Sequence, residues 1–340
     1  MSSSSRSLDL TEFIATIPKT ETHLHIEGAL PWDFLVKKNP TKFSVQPEFR
    51  KPSFRYKDFS QFESILIEHA LEIFKTAQDY HDVARSIFRD AILNNVRYLE
   101  TSFHAGMIEF LRLPGQEILD AILSAVPDGL EVRVFLGISR NAYSDYLAPK
   151  LEEAVTSWKG LSGIDLHGPE DLPIEGWTVP LWRKAKSNGM ILKAHAGEFG
   201  PPSNIEFAIR ELGVRRIQHG VRCSESDRLI RMLKEYDICL DMCPISNYKL
   251  NVVSDWIKHP LKQFLSEGIC CTISTDDPLS FNNSLKDEYM ACIEKMEMDW
   301  TDLLILAENG FRVADLDAIR KKESIVEINS LRAKLKNEFN

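Results

Sequence analysis

Thr22-His23-Leu24-His25-Ile26 reads as a β-strand. Side chains on a strand repeat every two residues, so His23 and His25 point to the same side and can grip one metal ion together. Working outward, three more polar groups follow, each closing its own apolar run: His195 with Glu198, His219, and the doublet Asp276-Asp277. His25, His195, His219 and Asp276 all fall at the C-terminal ends of predicted strands. In a (β/α)8 barrel those ends converge on one mouth, where active sites sit.

The rest of the chain carries the matching rhythm of short strand and longer amphipathic helix. Further strands are expected at 97–103, 131–138, 163–167, 191–196, 216–219, 238–243 and 270–275, which makes eight with the first. Helices are expected at 61–74, 80–95, 114–126, 148–158, 180–188, 204–212 and 225–235. This alternation signals a parallel sheet with crossover helices, and eight strands point to an α/β closed barrel of TIM type. No glycine-rich loop follows the first strand, which disfavours a dinucleotide fold. The expected organisation is a disordered lead-in over 1–10 and one domain over 11–340. Within it, an insertion over 31–75 covers the mouth as a lid. Helices from Asp299 to the end pack on the barrel or form part of a homo-oligomer contact.

At 340 residues and 44% apolar content the chain can build one large core. A formal net charge of −9 argues against a general nucleic-acid binder, which needs clustered lysine and arginine. No run approaches the ~20 apolar residues of a membrane span, and the serine-rich start lacks the apolar core of a signal peptide. The six cysteines have no secreted-framework spacing and read as small, reduced, buried hydrophobes, which places the protein in the cytoplasm.

The residues permit a metal-assisted hydrolytic site. His23, His25, His195 and Asp276 supply three imidazoles and a carboxylate, a set that suits one zinc ion per chain. Bound zinc lowers the pKa of water from ~15.7 to roughly 7. Glu198, three residues past His195 in the setting His195-Ala-Gly-Glu198, can face the same cavity and donate a proton. His219 can accept a hydrogen bond from the attacking water. Asp277 can hold a substrate nitrogen, and His167, also at a strand end, is a candidate for lining the pocket. His69, His81, His104 and His259 read as structural or solvated.

With these residues in view, the chain resembles the adenosine deaminase family. The resemblance rests on Glu21-Thr-His-Leu-His-Ile-Glu-Gly28, Gly163-Ile-Asp-Leu-His-Gly168, His195-Ala-Gly-Glu198, Arg216-Ile-Gln-His-Gly220, Cys243-Pro-Ile-Ser-Asn247 and Ser274-Thr-Asp-Asp-Pro278, in the family's order. It implies zinc on His23, His25, His195 and Asp276. It also implies proton donation to purine N1 by Glu198, and orientation and deprotonation of the water by His219. Asp277 would pair with N7 and the Gly168 N–H with N3. The cytidine-deaminase design needs a Pro-Cys-x-x-Cys that the chain lacks. The two-metal amidohydrolases carry a lysine where this chain has Asp165-Leu-His-Gly168, so one metal is expected.

Two features bear on the substrate. Glu27 stands where nucleoside-specific members carry aspartate against the ribose and where the adenine-deaminase branch carries glutamate. Thr275-Asp-Asp-Pro-Leu-Ser-Phe281 is closer to the nucleoside enzymes. The first expectation is therefore deamination of adenosine or 2′-deoxyadenosine. The alternatives are adenine itself and a 5′-modified adenosine such as aminodeoxyfutalosine. A nucleotide is disfavoured for want of an arginine cluster, and a non-catalytic binding protein by the intact ligand set.

Overall fold

The computed structural model describes residues 9–339. Eight strands run in sequence order as one parallel sheet: β1 (Lys19–His25), β2 (Val96–His104), β3 (Glu131–Ser139), β4 (Leu161–His167), β5 (Ile191–Ala196), β6 (Arg216–His219), β7 (Cys239–Met242) and β8 (Cys270–Ile273). The sheet curls back on itself. Past the end of β8, Asp276 accepts from the His25 N–H at 3.1 Å and donates its own N–H to the His23 carbonyl at 3.1 Å, pairing Leu24 with Asp276. The result is the expected TIM barrel, with the seam between β8 and β1 closed beside the metal-ligating candidates.

All eight expected strands and the seven expected crossover helices are present, with ends displaced by at most three residues. Helix caps explain several of these ends. Thr76 with Asp79 forms a reciprocal capping box that starts the Ala77–Leu93 helix three residues earlier than its apolar spacing suggested. Asp58 caps Phe59–Ile73 through the Gln61 N–H.

The start of the chain differs from expectation. Residues 1–8 of the expected lead-in lie outside the described residues, but Asp9 and Leu10 belong to ordered structure: Asp9 accepts from the Thr11 and Glu12 N–H groups and starts the Leu10–Thr16 helix. At the other end, Trp300–Val313 takes the first of its two expected placements, against the barrel. It packs on β8 and β1 and completes the ring of helices, and the Asn309 side chain donates to the Cys271 carbonyl at 3.0 Å. The Ala318–Phe339 helix then lies against it, joined by Arg332 to Glu308 at 2.8 Å. The 31–75 stretch carries short helices at Trp32–Lys38 and Pro40–Phe43 before the Phe59–Ile73 helix reaches the mouth.

Apolar side chains from Phe13 to Leu335 form one continuous core. The barrel axis itself is polar. Arg216 on β6 reaches across to Glu100 on β2 at 3.2 Å and to Asp241 on β7 at 2.7 Å, and Lys193 pairs with the same Glu100. Thr22 and Thr272 hydroxyls donate to Asp241 at 2.9 and 2.7 Å. Every charge in this stack has an opposite partner, the condition under which buried ions are tolerated. No described helix is long and apolar enough to cross a membrane.

Candidate active site

The C-terminal mouth of the barrel gathers the polar residues picked out from the sequence. The His23 and His25 Nε2 atoms lie 3.3 Å apart, and the His195 Nε2 lies 3.0 Å from the first and 3.2 Å from the second. Asp276 Oδ1 is 3.3 Å from both His23 and His25. Three imidazole nitrogens and a carboxylate oxygen thus face one point. A cation about 2.0 Å from each of four tetrahedral donors places those donors roughly 3.3 Å apart, so the set fits a zinc-sized ion. Two neutral imidazole lone pairs cannot satisfy each other at such distances, and a shared cation resolves the arrangement.

Outer partners hold these rings. The His25 Nδ1 meets the Ser102 hydroxyl at 2.8 Å, the His195 Nδ1 donates to the Leu166 carbonyl at 3.2 Å, and the His23 Nδ1 lies 3.4 Å from the Cys243 sulfur. The Ser246 hydroxyl donates to Asp276 Oδ2 at 2.7 Å. Contacts of this kind fix the ring orientation of metal-binding histidines. Burial alone would raise the Asp276 carboxyl, but His23 and its neighbours hold it well below the usual carboxylate range. Asp276 and His219 both adopt positive φ, 64° and 66°. Non-glycine residues rarely adopt this region, and it is enriched at functional sites.

His219 sits within the same cluster, its Nε2 3.5 Å from Glu198 Oε2 and 3.9 Å from Asp276 Oδ2. Glu198 Oε1 and Asp277 Oδ1 are buried without a hydrogen-bond partner. Burial pushes Glu198 well above the ordinary carboxylate range, and the charges of Asp276, Glu170 and Asp277 add to it; burial and Asp276 do the same to Asp277. Both residues line a cavity of about 310 Å³ that is also lined by Gly168, His167 and Glu27. Its outer wall is apolar, built from Phe59, Phe62, Leu66, Ile67, Met107 and Phe110, and no lysine or arginine is among its lining residues.

All ten residues proposed from the sequence line this cavity or the metal cluster beneath it. His104 corrects the expectation that it is merely structural: it lines the same cavity, its ring 4.7 Å from that of His167. Glu27 is held more tightly than its sequence position suggested, accepting from the Tyr80 hydroxyl at 2.8 Å and the His104 N–H at 3.1 Å. Glu170 went unnoticed, although it lies only two residues past Gly168. Its buried carboxylate accepts from the N–H groups of Gly197, Glu198, Phe199 and Gly200 at 2.7–2.9 Å, so it shapes the loop that carries Glu198. Asn247, quoted from the sequence only within a motif, and His259, read there as structural or solvated, both connect to His219.

Comparisons with known proteins give the family and the fold. The family model for adenosine deaminase matches residues 18–331. An adenine deaminase of Chlorobium phaeobacteroides is 30% identical over 331 residues, covering 94% of this chain and 98% of its own, and one of Zymomonas mobilis is 30% identical over 312 residues, covering 89% and 92%. The crystal structure of adenine deaminase from Arthrobacter aurescens superposes with a TM-score of 0.83 at 25% identity, covering 92% of this chain and 98% of its own. An amidohydrolase from Burkhoderia ambifaria with bound Zn shares the fold at a TM-score of 0.78 and 20% identity, over 99% and 96% of the two chains. The chain belongs to the adenosine deaminase family and is a purine deaminase, a hydrolase built on a TIM barrel.

Proposed function

We propose that the protein hydrolyses adenine to hypoxanthine and ammonia. This revises the first expectation, adenosine or 2′-deoxyadenosine, in favour of the alternative, because the relatives reported above are adenine deaminases. The observation that carries the choice is Glu27, whose buried carboxylate lines the substrate cavity with Oε1 pinned by Tyr80 and the His104 N–H. The free base has a ring N–H that such an acceptor can bind, and in a nucleoside that position carries the sugar. A volume of about 310 Å³ also lies at the small end of the ~300–1,000 Å³ typical of ligand sites.

The chain's own groups divide the work. His23, His25, His195 and Asp276 would hold one zinc ion, which when bound acts as a Lewis acid on water. Glu198, whose carboxyl its surroundings push well above the ordinary range, lines the cavity and donates its proton to N1, which draws electron density from C6. Asp277 pairs with N7 and the Gly168 N–H with N3, orienting the ring. His219 faces the reacting oxygen. His167 and His104 close one edge, and the apolar wall excludes water. Water supplies the oxygen added at C6 and two protons: one returns to Glu198, and the other goes to the amino group, which departs as ammonia as the C6–N6 bond breaks. The Phe59–Ile73 helix acts as the lid, within a single domain.

Purified protein offered adenine, adenosine, 2′-deoxyadenosine, AMP and a 5′-modified adenosine tests this reading. Ammonia release with the highest kcat/KM on adenine is expected, together with one zinc per chain. AMP should be inert because no cationic side chain lines the cavity. A clear preference for a nucleoside overturns the proposal.

A further inference from the structure

Six histidines crowd the mouth, and ring nitrogens alone do not say which of them bind metal: His219 shares a cluster with His23, His195 and Asp276 in which ligand atoms lie within 4.8 Å of one another. Their outer partners separate them. A carbonyl oxygen can only accept, so His195, whose Nδ1 faces the Leu166 carbonyl, keeps its proton on Nδ1 and presents a bare Nε2.

At His219 the order is reversed, and a backbone group fixes it. The Leu261 N–H can only donate, and it meets the His259 Nδ1 at 3.3 Å. The neutral His259 ring therefore carries its proton on Nε2, which lies 3.1 Å from Asn247 Oδ1. That contact settles the orientation of the Asn247 amide, so its NH2 must be the group 3.1 Å from the His219 Nδ1. His219 then accepts at Nδ1 and, as a neutral ring, carries its proton on Nε2. All three side chains are buried. Burial pushes the His259 imidazole down to about 3, so the relay starts from a neutral ring.

We propose that His259 and Asn247 are positioning residues that lock His219 as its Nε2–H tautomer, so that His219 is a hydrogen-bond donor to the reacting oxygen and not a fourth histidine on the metal. The direction is opposite to the expectation that His219 receives a proton from the water. Neutral His219 has no lone pair on the nitrogen that faces Glu198 and the cavity. It holds the oxygen by donation, in the manner of an oxyanion donor. This role rests on the deaminase reading, but the tautomer itself does not.

Two measurements on the zinc-loaded protein test it separately. Imidazole nitrogen NMR of 15N-histidine-labelled protein, with His219 assigned from a His219→Gln sample, should show a protonated Nε2 and a bare Nδ1. A proton on Nδ1 overturns the proposal whatever the substrate proves to be. Asn247→Asp keeps the shape and the bond from His259 but can only accept, so it should move the His219 proton to Nδ1. The expected fall in kcat is about 10²-fold or more, with KM changed by less than about threefold. Should that variant not fold, His259→Leu and His259→Gln replace it. Leucine frees the Asn247 amide to turn and should lower kcat at least about tenfold, whereas glutamine restores a donor to Asn247 Oδ1 and should recover most of that loss. An unmoved His219 proton in Asn247→Asp, or equal kcat in the leucine and glutamine variants, overturns the proposal.

Discussion

Replacing Glu170 by glutamine should cost the protein a large share of its stability without touching the cavity. The carboxylate is 4% exposed. Its Oε2 accepts from Glu198, Phe199 and Gly200 N–H groups at 2.8, 2.7 and 2.9 Å, and its Oε1 accepts from Gly197 at 2.8 Å. Arg140, itself 2% exposed, stands 3.7 Å away. The amide oxygen of glutamine can serve one of these two positions. If it faces the three N–H groups, the NH2 meets the Gly197 N–H donor to donor. Losing one charge-assisted hydrogen bond costs about 1.5–3 kcal/mol, and a stranded buried donor about 1–3 kcal/mol more. The sum, about 2.5–6 kcal/mol, is a substantial part of the ~5–15 kcal/mol that holds a typical domain folded. Urea unfolding of the metal-loaded protein reads it directly. The sign with pH is also fixed. Burial would raise the Glu170 carboxyl, but the N–H groups and Arg140 outweigh it and hold it below the usual range. Its contribution is therefore present above the ordinary glutamate range and lost as pH falls through the folded value. The gap between wild type and variant should narrow in acid. Because the same loop positions Glu198, kcat should fall with stability. A loss below about 1 kcal/mol with wild-type kcat refutes the cradle.

Three further substitutions probe the site. Glu198→Gln should retain zinc, measured by metal analysis, and lose about 10²–10⁴-fold in kcat because no proton reaches N1; near-normal turnover rules out that role. Glu27→Asp shortens the side chain by about one methylene, so the ratio of kcat/KM for adenine over adenosine should fall at least about tenfold, and an unchanged ranking removes Glu27 from sugar discrimination. A Cβ at Gly28 would sit 1.5 Å from Asp277 Oδ1, so Gly28→Ala should displace Asp277 and lower kcat/KM at least about tenfold with full metal content. Wild-type kinetics in Gly28→Ala would show that Asp277 does not need that seat.

The barrel was legible because its signals are local. Each strand carries its own apolar run, each helix its own periodicity, and polar residues at strand ends must share one rim once eight strands close. His23, His25, His195, His219, Asp276 and Glu198 could all be placed on this logic. Local signals ran short where capping or packing decides the outcome. The capping box at Thr76 and Asp79 lengthened a helix beyond its apolar spacing. For Trp300–Val313 packing on the barrel was one of two placements left open, because nothing in its sequence says that it covers β8 and β1.

The sequence by itself determined the ligand types, their spacing along the chain and the order of strands that brings them together. It could not determine which nitrogen of each histidine is free, which carboxylate is seated by backbone N–H groups, or that His104 reaches the cavity. Those properties depend on hydrogen-bond partners far apart in the chain: Leu261 acting through His259 and Asn247 on His219, Glu170 on the loop after β5, Tyr80 on Glu27. A proton's position on an imidazole is set by what stands within about 3 Å of it, and only the closed barrel decides that.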